Sequence, residues 1–134
     1  VGVIKHDGHE YAMDREGTDT YRFTEAGARI SAIYSDTQSS VNRKGKVTAE
    51  DMIAACGNVD VLILEGLKDS AYPKVEVVRR AVSEHTVCAT EHLIAVATDV
   101  VTQDVVNCPV YDMNDIAGIY ACILVYFGIS GRLR

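Results

Sequence analysis

The sequence predicts an α/β fold, a mostly parallel sheet flanked by helices in the manner of P-loop NTPases, and three observations point to its layout. VDVLILEG (59–66) is an almost unbroken apolar run closed by a carboxylate, and HLIAVATD (92–99) repeats that form. Such runs mark parallel strands covered on both faces. Strand-like and helix-like segments also alternate along the chain, without repeats, low-complexity tracts or Pro/Ser-rich linkers.

Each element has its own local reason. VGVIK (1–5) reads as a buried strand that stops at Lys5-His6. After a polar, Gly-containing loop, Asp19 or Thr20 is placed to cap a short helix closed by Gly27. RISAIYS (29–35) is a second strand, and DTQSSVNRKGK (36–46) reads as loop by its Ser, Asn and Gly content. Thr48 with Asp51 approximates a capping box for the helix that Gly57 ends. KVEVVRR (74–80) alternates after Pro73 and reads as a more exposed strand, while Pro109 assigns CPVYD (108–112) to a sheet edge. In IAGIYACILVYFGI (116–129) apolar residues recur at helical spacing behind a cap at Asp112 or Asn114. That segment falls short of the roughly 20 residues that cross a bilayer, so a buried helix is expected.

At 134 residues the chain suits one domain, 1–134, with a packed core. Hydrophobic residues make up 48% and charged residues 24%, the balance of a globular protein rather than a disordered one. A net charge of −6 and a pI near 5.1 leave no basic stripe for nucleic acid, and no membrane partner is expected. Cys56, Cys88, Cys108 and Cys122 are widely spaced and form no C-x-x-C pair, which suggests reduced thiols and a cytoplasmic location.

Three apolar runs release polar residues at their carboxyl ends: Lys5-His6, Glu65-Gly66-x-Lys68 and Thr98-Asp99. In open α/β sheets the ligand crevice lies beyond those ends. Glu65 has the form of a strand-borne acid that holds Mg²⁺ or its water near a triphosphate, with Gly66 allowing close backbone approach and Lys68 adding a cation. A plain ion pair between Glu65 and Lys68 accounts for the same residues. Asp99 could accept from both N1–H and the 2-amino group of guanine, or merely cap a turn. His6, His9 and Asp14 have metal-binding chemistry but no fixed third ligand, so zinc is the weaker reading. Lys5 and His6 facing phosphates, with Asp14 or Asp19 working on Mg²⁺, suits the rest of the rim better. His85 and His92 are isolated and read as structural.

KHDGHEYAMDREGTDTYRFTEAGA, VDVLILEGLKDSAYPKVEVVR and LIAVATDV together resemble the MobB family, the molybdopterin-guanine dinucleotide biosynthesis proteins. The family pattern is K-H-x-x-H, an Asp, G-x-D-[ST], A-G-A, a later D-x-x-x-x-E-G-[FLY]-K and a late A-x-x-[ST]-D. Lys5, His6, His9, Asp14, Gly17, Asp19, Thr20 and Ala26-Gly27-Ala28 match it, followed by Asp60, Glu65, Gly66, Leu67, Lys68 and Thr98-Asp99. The resemblance implies a P-loop fold related to the GTPases that assist nickel insertion. It also implies homodimerisation, GTP and Mg²⁺ as cofactors, and support for a partner molybdopterin guanylyltransferase. Glu65 and Asp14 then become the catalytic, Mg²⁺-handling acids. Lys5, His6, Asp19, Gly66, Lys68 and Asp99 become the nucleotide site, and His9 and Arg22 contacts for molybdopterin or the partner.

Family members begin with a strand, a G-x-x-x-x-G-K-[ST] loop and a helix, and no such motif occurs in this sequence. Val1 corresponds to the family's second strand, so the expectation is that the phosphate-cradling loop belongs ahead of it. The competing expectation is a binding module without a P-loop, which carries pterin or recruits the transferase without nucleotide chemistry.

Overall fold

In the computed structural model, which describes residues 1–9, 11–100 and 106–129, helices and strands intermix as expected of an α/β chain, although several strands follow one another directly. They group into two compact units, Val1–Gly66 and Leu67–Arg134.

The first unit contains β1 (Gly2–Lys5), α1 (Asp19–Glu25), β2 (Ile30–Tyr34), β3 (Ser39–Arg43), α2 (Ala49–Ala55) and β4 (Leu62–Glu65). β1 and β4 pair in parallel, from Gly2 opposite Leu62 to Lys5 opposite Glu65. Gly2 lies close against β4: a Cβ there would come within 2.9 Å of the Leu62 Cδ1 methyl, which would have to shift. The strand within 59–66 is shorter than its apolar run implies. It is also not covered on both faces: Ile63 is 50% exposed and its register partner Val3 64%.

The stretch 36–46, expected as loop, contains β3, which forms an antiparallel hairpin with β2 through a turn closed by Ser35 N–H to Gln38 O at 2.8 Å. SSVNR carries little strand propensity of its own. The ladder to β2 supplies what local sequence does not. Thr18, rather than Asp19 or Thr20, caps α1 by accepting from Tyr21 N–H, and the chain leaves that helix through Gly27 at φ +98°. α2 has the expected capping box: Thr48 accepts from Asp51 N–H while the Asp51 carboxylate accepts from Thr48 N–H.

The second unit contains β5 (Lys74–Val78), a 3₁₀ turn (Thr90–His92), β6 (Leu93–Thr98), β7 (Val110–Asp112) and α3 (Ile116–Tyr126). Its sheet is parallel in the order β5-β6-β7, which puts the Pro109-led strand at an edge as expected. β6 is the central strand, and Leu93, Ala95, Val96 and Ala97 on it are buried with Val78 of β5. Cys88, Val100, Val106 and Cys108 pack against this core. β5 is less exposed than its alternation suggests: Glu76 and Val78 point inward and Val77 is the exposed residue.

α3 is capped by Asp115 through Gly118 N–H, not by Asp112 or Asn114. Asp112 instead accepts from Asn114 N–H at 2.8 Å. Nor is α3 a buried helix. Cys122 reaches Ile94 O at 3.5 Å on its β6 side, while Ile116, Val125 and Phe127 are exposed. No helix among the described residues is long and apolar enough to cross a membrane.

Candidate functional site

The matched register of β1 and β4 brings two charged residues to one point. Gly2 N–H donates to Val61 O and His6 N–H to Glu65 O, both at 2.9 Å, so the parallel ladder holds to its last residue. Lys5 Nζ then lies 2.7 Å from Glu65 Oε1, with both side chains 61% exposed. The Glu65 hydrogen bond, reinforced by its charge, holds the Lys5 ammonium above the usual lysine value. Glu65 thus pairs with Lys5, whereas the sequence suggested Lys68.

Gly66 turns the chain immediately after this pair. Its φ is +91°, and a Cβ would meet the His6 carbonyl oxygen at 2.9 Å. Leu67 follows at φ +55°, a region that costs a side-chain-bearing residue about 1–2 kcal/mol. The glycine that suggested close approach of a phosphate therefore makes a close approach to the backbone of His6, just past the end of β1.

The remaining candidates are placed as follows. His9 is exposed, with Nδ1 3.4 Å from Asp7 and its N–H donating to the same carboxylate at 3.1 Å. Asp14 Oδ1 accepts from Arg15 N–H and from the Thr18 hydroxyl, each at 2.9 Å. The hydroxyls of Thr20 and Thr18 hold its carboxyl below the ordinary aspartate range. Asp19 occupies the exposed first turn of α1 and Arg22 its exposed last turn. In the second unit Lys68 is exposed, and Asp99 accepts from Arg80 N–H at 2.8 Å, joining the ends of β5 and β6. Among the described residues no three His, Cys, Asp or Glu side chains converge as a metal cluster. An exposed Glu65 carboxylate does suit Mg²⁺, which commonly takes one or two protein carboxylates and keeps its waters.

Two polar groupings escaped the sequence reading. Glu76 is 8% exposed and accepts from Val87 N–H at 2.7 Å and Cys88 N–H at 3.2 Å, so it fixes the loop that follows β5. Asp14 and Thr20 also line a cleft with Ser31, Ser40 and Asn42 of the β2–β3 hairpin. The family pattern pointed to Asp14 and Thr20 but not to the hairpin.

Parallel sheets flanked by helices, with Lys5 and Glu65 at the carboxyl ends of β1 and β4, define an α/β protein. Residues 1–99 match the family model described as molybdopterin guanine dinucleotide synthesis protein B, and the chain belongs to this MobB family. Among relatives, a protein of Methanocaldococcus jannaschii is 33% identical over 52% of this chain and 30% of its own. The molybdopterin-guanine dinucleotide biosynthesis adapter protein of Haemophilus influenzae is 29% identical over 74% of this chain and 58% of its own. Each of these matches spans less than two thirds of the relative. The protein of the same description from Escherichia coli K12 is 25% identical over 88% of this chain and 71% of its own. Two Bacillus subtilis MobB structures share the fold, with TM-scores of 0.65 and 0.66 at 21% and 22% identity, covering 98% of this chain and 79% and 80% of theirs.

Proposed function

We propose that the protein is a GTP-binding accessory protein of molybdopterin-guanine dinucleotide synthesis, acting as a cytoplasmic homodimer that supports a partner guanylyltransferase. The observation that carries this reading is the Lys5–Glu65 pair at the carboxyl ends of β1 and β4, inside the region that matches the family model. The adapter descriptions of the Haemophilus and Escherichia relatives support the accessory role. In this reading Glu65 takes Mg²⁺ with one of Asp14 and Asp19, while Lys5, His6 and Lys68 face phosphates or the pterin substrate. His9 and Arg22 face molybdopterin or the partner. GTP hydrolysis, at most weak, serves switching or delivery rather than turnover.

Asp99 is assigned to guanine, whose N1–H and 2-amino group can both donate to one carboxylate; adenine has no such pair. Calorimetric titration of the full-length protein with GTP and ATP, each with Mg²⁺, tests this. Asp99→Asn keeps an acceptor for Arg80 N–H, so the end of β5 stays tied. A preference for GTP of about 10- to 100-fold is expected, and its loss in Asp99→Asn. Equal binding of ATP would overturn the assignment.

A second reading, drawn from the adapter descriptions of the relatives, is a binding module that carries pterin or recruits the transferase without nucleotide chemistry. It predicts that neither nucleotide binds.

A further inference from the structure

Lys74 opens β5 opposite Leu93 of β6, so the parallel ladder of the second unit fixes its backbone. Its side chain does not run out into water, the usual course for a lysine at a sheet margin. Instead Nζ turns back onto the chain that leads into the strand. It donates to Ser70 O, to Ser70 Oγ at 3.0 Å and to Tyr72 O at 2.9 Å. A lysine ammonium has three N–H donors, and these oxygens use them all. None of them belongs to a carboxylate, and among the described residues Lys74 makes no ion pair.

Ser70, gripped twice, ends a tight turn. Its N–H donates to Leu67 O at 3.0 Å, which leaves Lys68 and Asp69 as the two central residues, both exposed. Leu67 enters the turn at φ +55°, a conformation that a residue with a side chain keeps only where its surroundings fix it. No residue between Gly66 and Pro73 is buried, so hydrogen bonds rather than packing must hold this segment. Lys74 supplies three of them.

We propose that Lys74 is a positioning residue: its grip on Ser70 and Tyr72 sets the 67–70 turn so that Lys68 is presented to phosphates. This role rests on the reading above, in which Lys68 faces phosphates.

The test is a double-mutant cycle on the full-length protein, with Mg²⁺-GTP affinity read by calorimetry. Lys74→Met keeps the stem and removes the donors. Lys68→Ala should weaken binding about tenfold or more, and Lys74→Met about three- to tenfold. Added to Lys68→Ala, Lys74→Met should cost less than about a further twofold. Loss of a positive charge, or general destabilisation, would persist without Lys68; loss of positioning would not. In the free protein, hydrogen exchange at the Ser70 amide should speed up in Lys74→Met while the β6 amides stay protected. If Lys74→Met also loses the β6 protection, Ser70→Ala takes its place in the cycle. It removes only the hydroxyl, and a loss of about threefold is expected, again only while Lys68 is present.

The proposal is overturned if the variant binds like the parent, if its loss is as large without Lys68 as with it, or if the Ser70 amide stays as protected as before. A parent protein that does not bind Mg²⁺-GTP overturns the reading of Lys68 and this role with it. Binding by the parent that Lys74→Met leaves unchanged overturns this role alone.

Discussion

Lys5 and Glu65 end neighbouring parallel strands in direct register, and their side chains meet at 2.7 Å while remaining 61% exposed. Ion pairs in that setting are screened by water and salt and add little to stability. Exposed charges at the end of a rigid ladder are well placed to serve a ligand. Lys5→Ala and Glu65→Gln should each lower the thermal midpoint by no more than about 2 °C. Each should weaken Mg²⁺-GTP binding about tenfold or more in calorimetry. The charge-swapped double variant, Lys5→Glu with Glu65→Lys, should keep the midpoint yet not recover binding. Recovery would mean that the pair is structural only.

Gly66 supports that pair from behind. Gly66→Ala combines a left-handed backbone with a Cβ 2.9 Å from the His6 carbonyl oxygen, so it should destabilise by more than about 2 kcal/mol. Gly57 gives the comparison, because it also has a positive φ, +64°, but nothing within 4 Å of a Cβ. Gly57→Ala should therefore cost only about 1–2 kcal/mol. Urea denaturation of both variants checks the order; equal losses would remove the close approach as a cause.

Glu76 is a carboxylate with a structural task. Both its oxygens accept backbone N–H groups, from Val87 and Cys88, in a loop eleven and twelve residues further on. Hydrogen bonds to a charged group are worth about 1.5–3 kcal/mol, and Glu76→Ala should cost about that much. The 87 and 88 amides should lose hydrogen-exchange protection ahead of β6. If those amides stay as protected as before, the bonds do not hold the loop.

What the sequence made legible follows the reach of each interaction. The apolar run of β6, the edge position of the Pro109-led strand and the Thr48–Asp51 box depend on neighbours within a few residues, and each is found in the structure. β3 was hidden because SSVNR becomes a strand only through its ladder to β2. Glu76 was hidden because its partners are backbone groups, which leave no mark in side-chain pattern. The cap of α1 was displaced by one or two residues because Thr18, Asp19 and Thr20 can all cap. Asp14, which accepts from the Thr18 hydroxyl, accompanies the choice of Thr18. At the site, residue types and strand ends pointed to Lys5 and Glu65 separately. Their pairing needed the register, and the hairpin side of the Asp14 cleft needed β3.

The capping box of α2 sets a pH dependence with a defined sign. Thr48 N–H, then the Thr48 hydroxyl, donates to the Asp51 carboxylate and holds its pKa below the ordinary value of about 3.9. Because the folded pKa is the lower one, the unfolded chain binds the proton first as pH falls. The stability from this contact is complete above the ordinary value and is lost as pH drops through the lowered one. Asp51→Asn should therefore flatten the loss of stability below about pH 4, measured by urea midpoints between pH 7 and pH 2.5. Thr48→Ala removes the hydroxyl but keeps the backbone donor, so it should cost about 1 kcal/mol at neutral pH and reduce the acid slope only in part. An acid slope in Asp51→Asn as steep as in the parent protein would assign the dependence to other carboxylates, Asp14 first among them, since its threonine hydroxyls lower its pKa with the same sign.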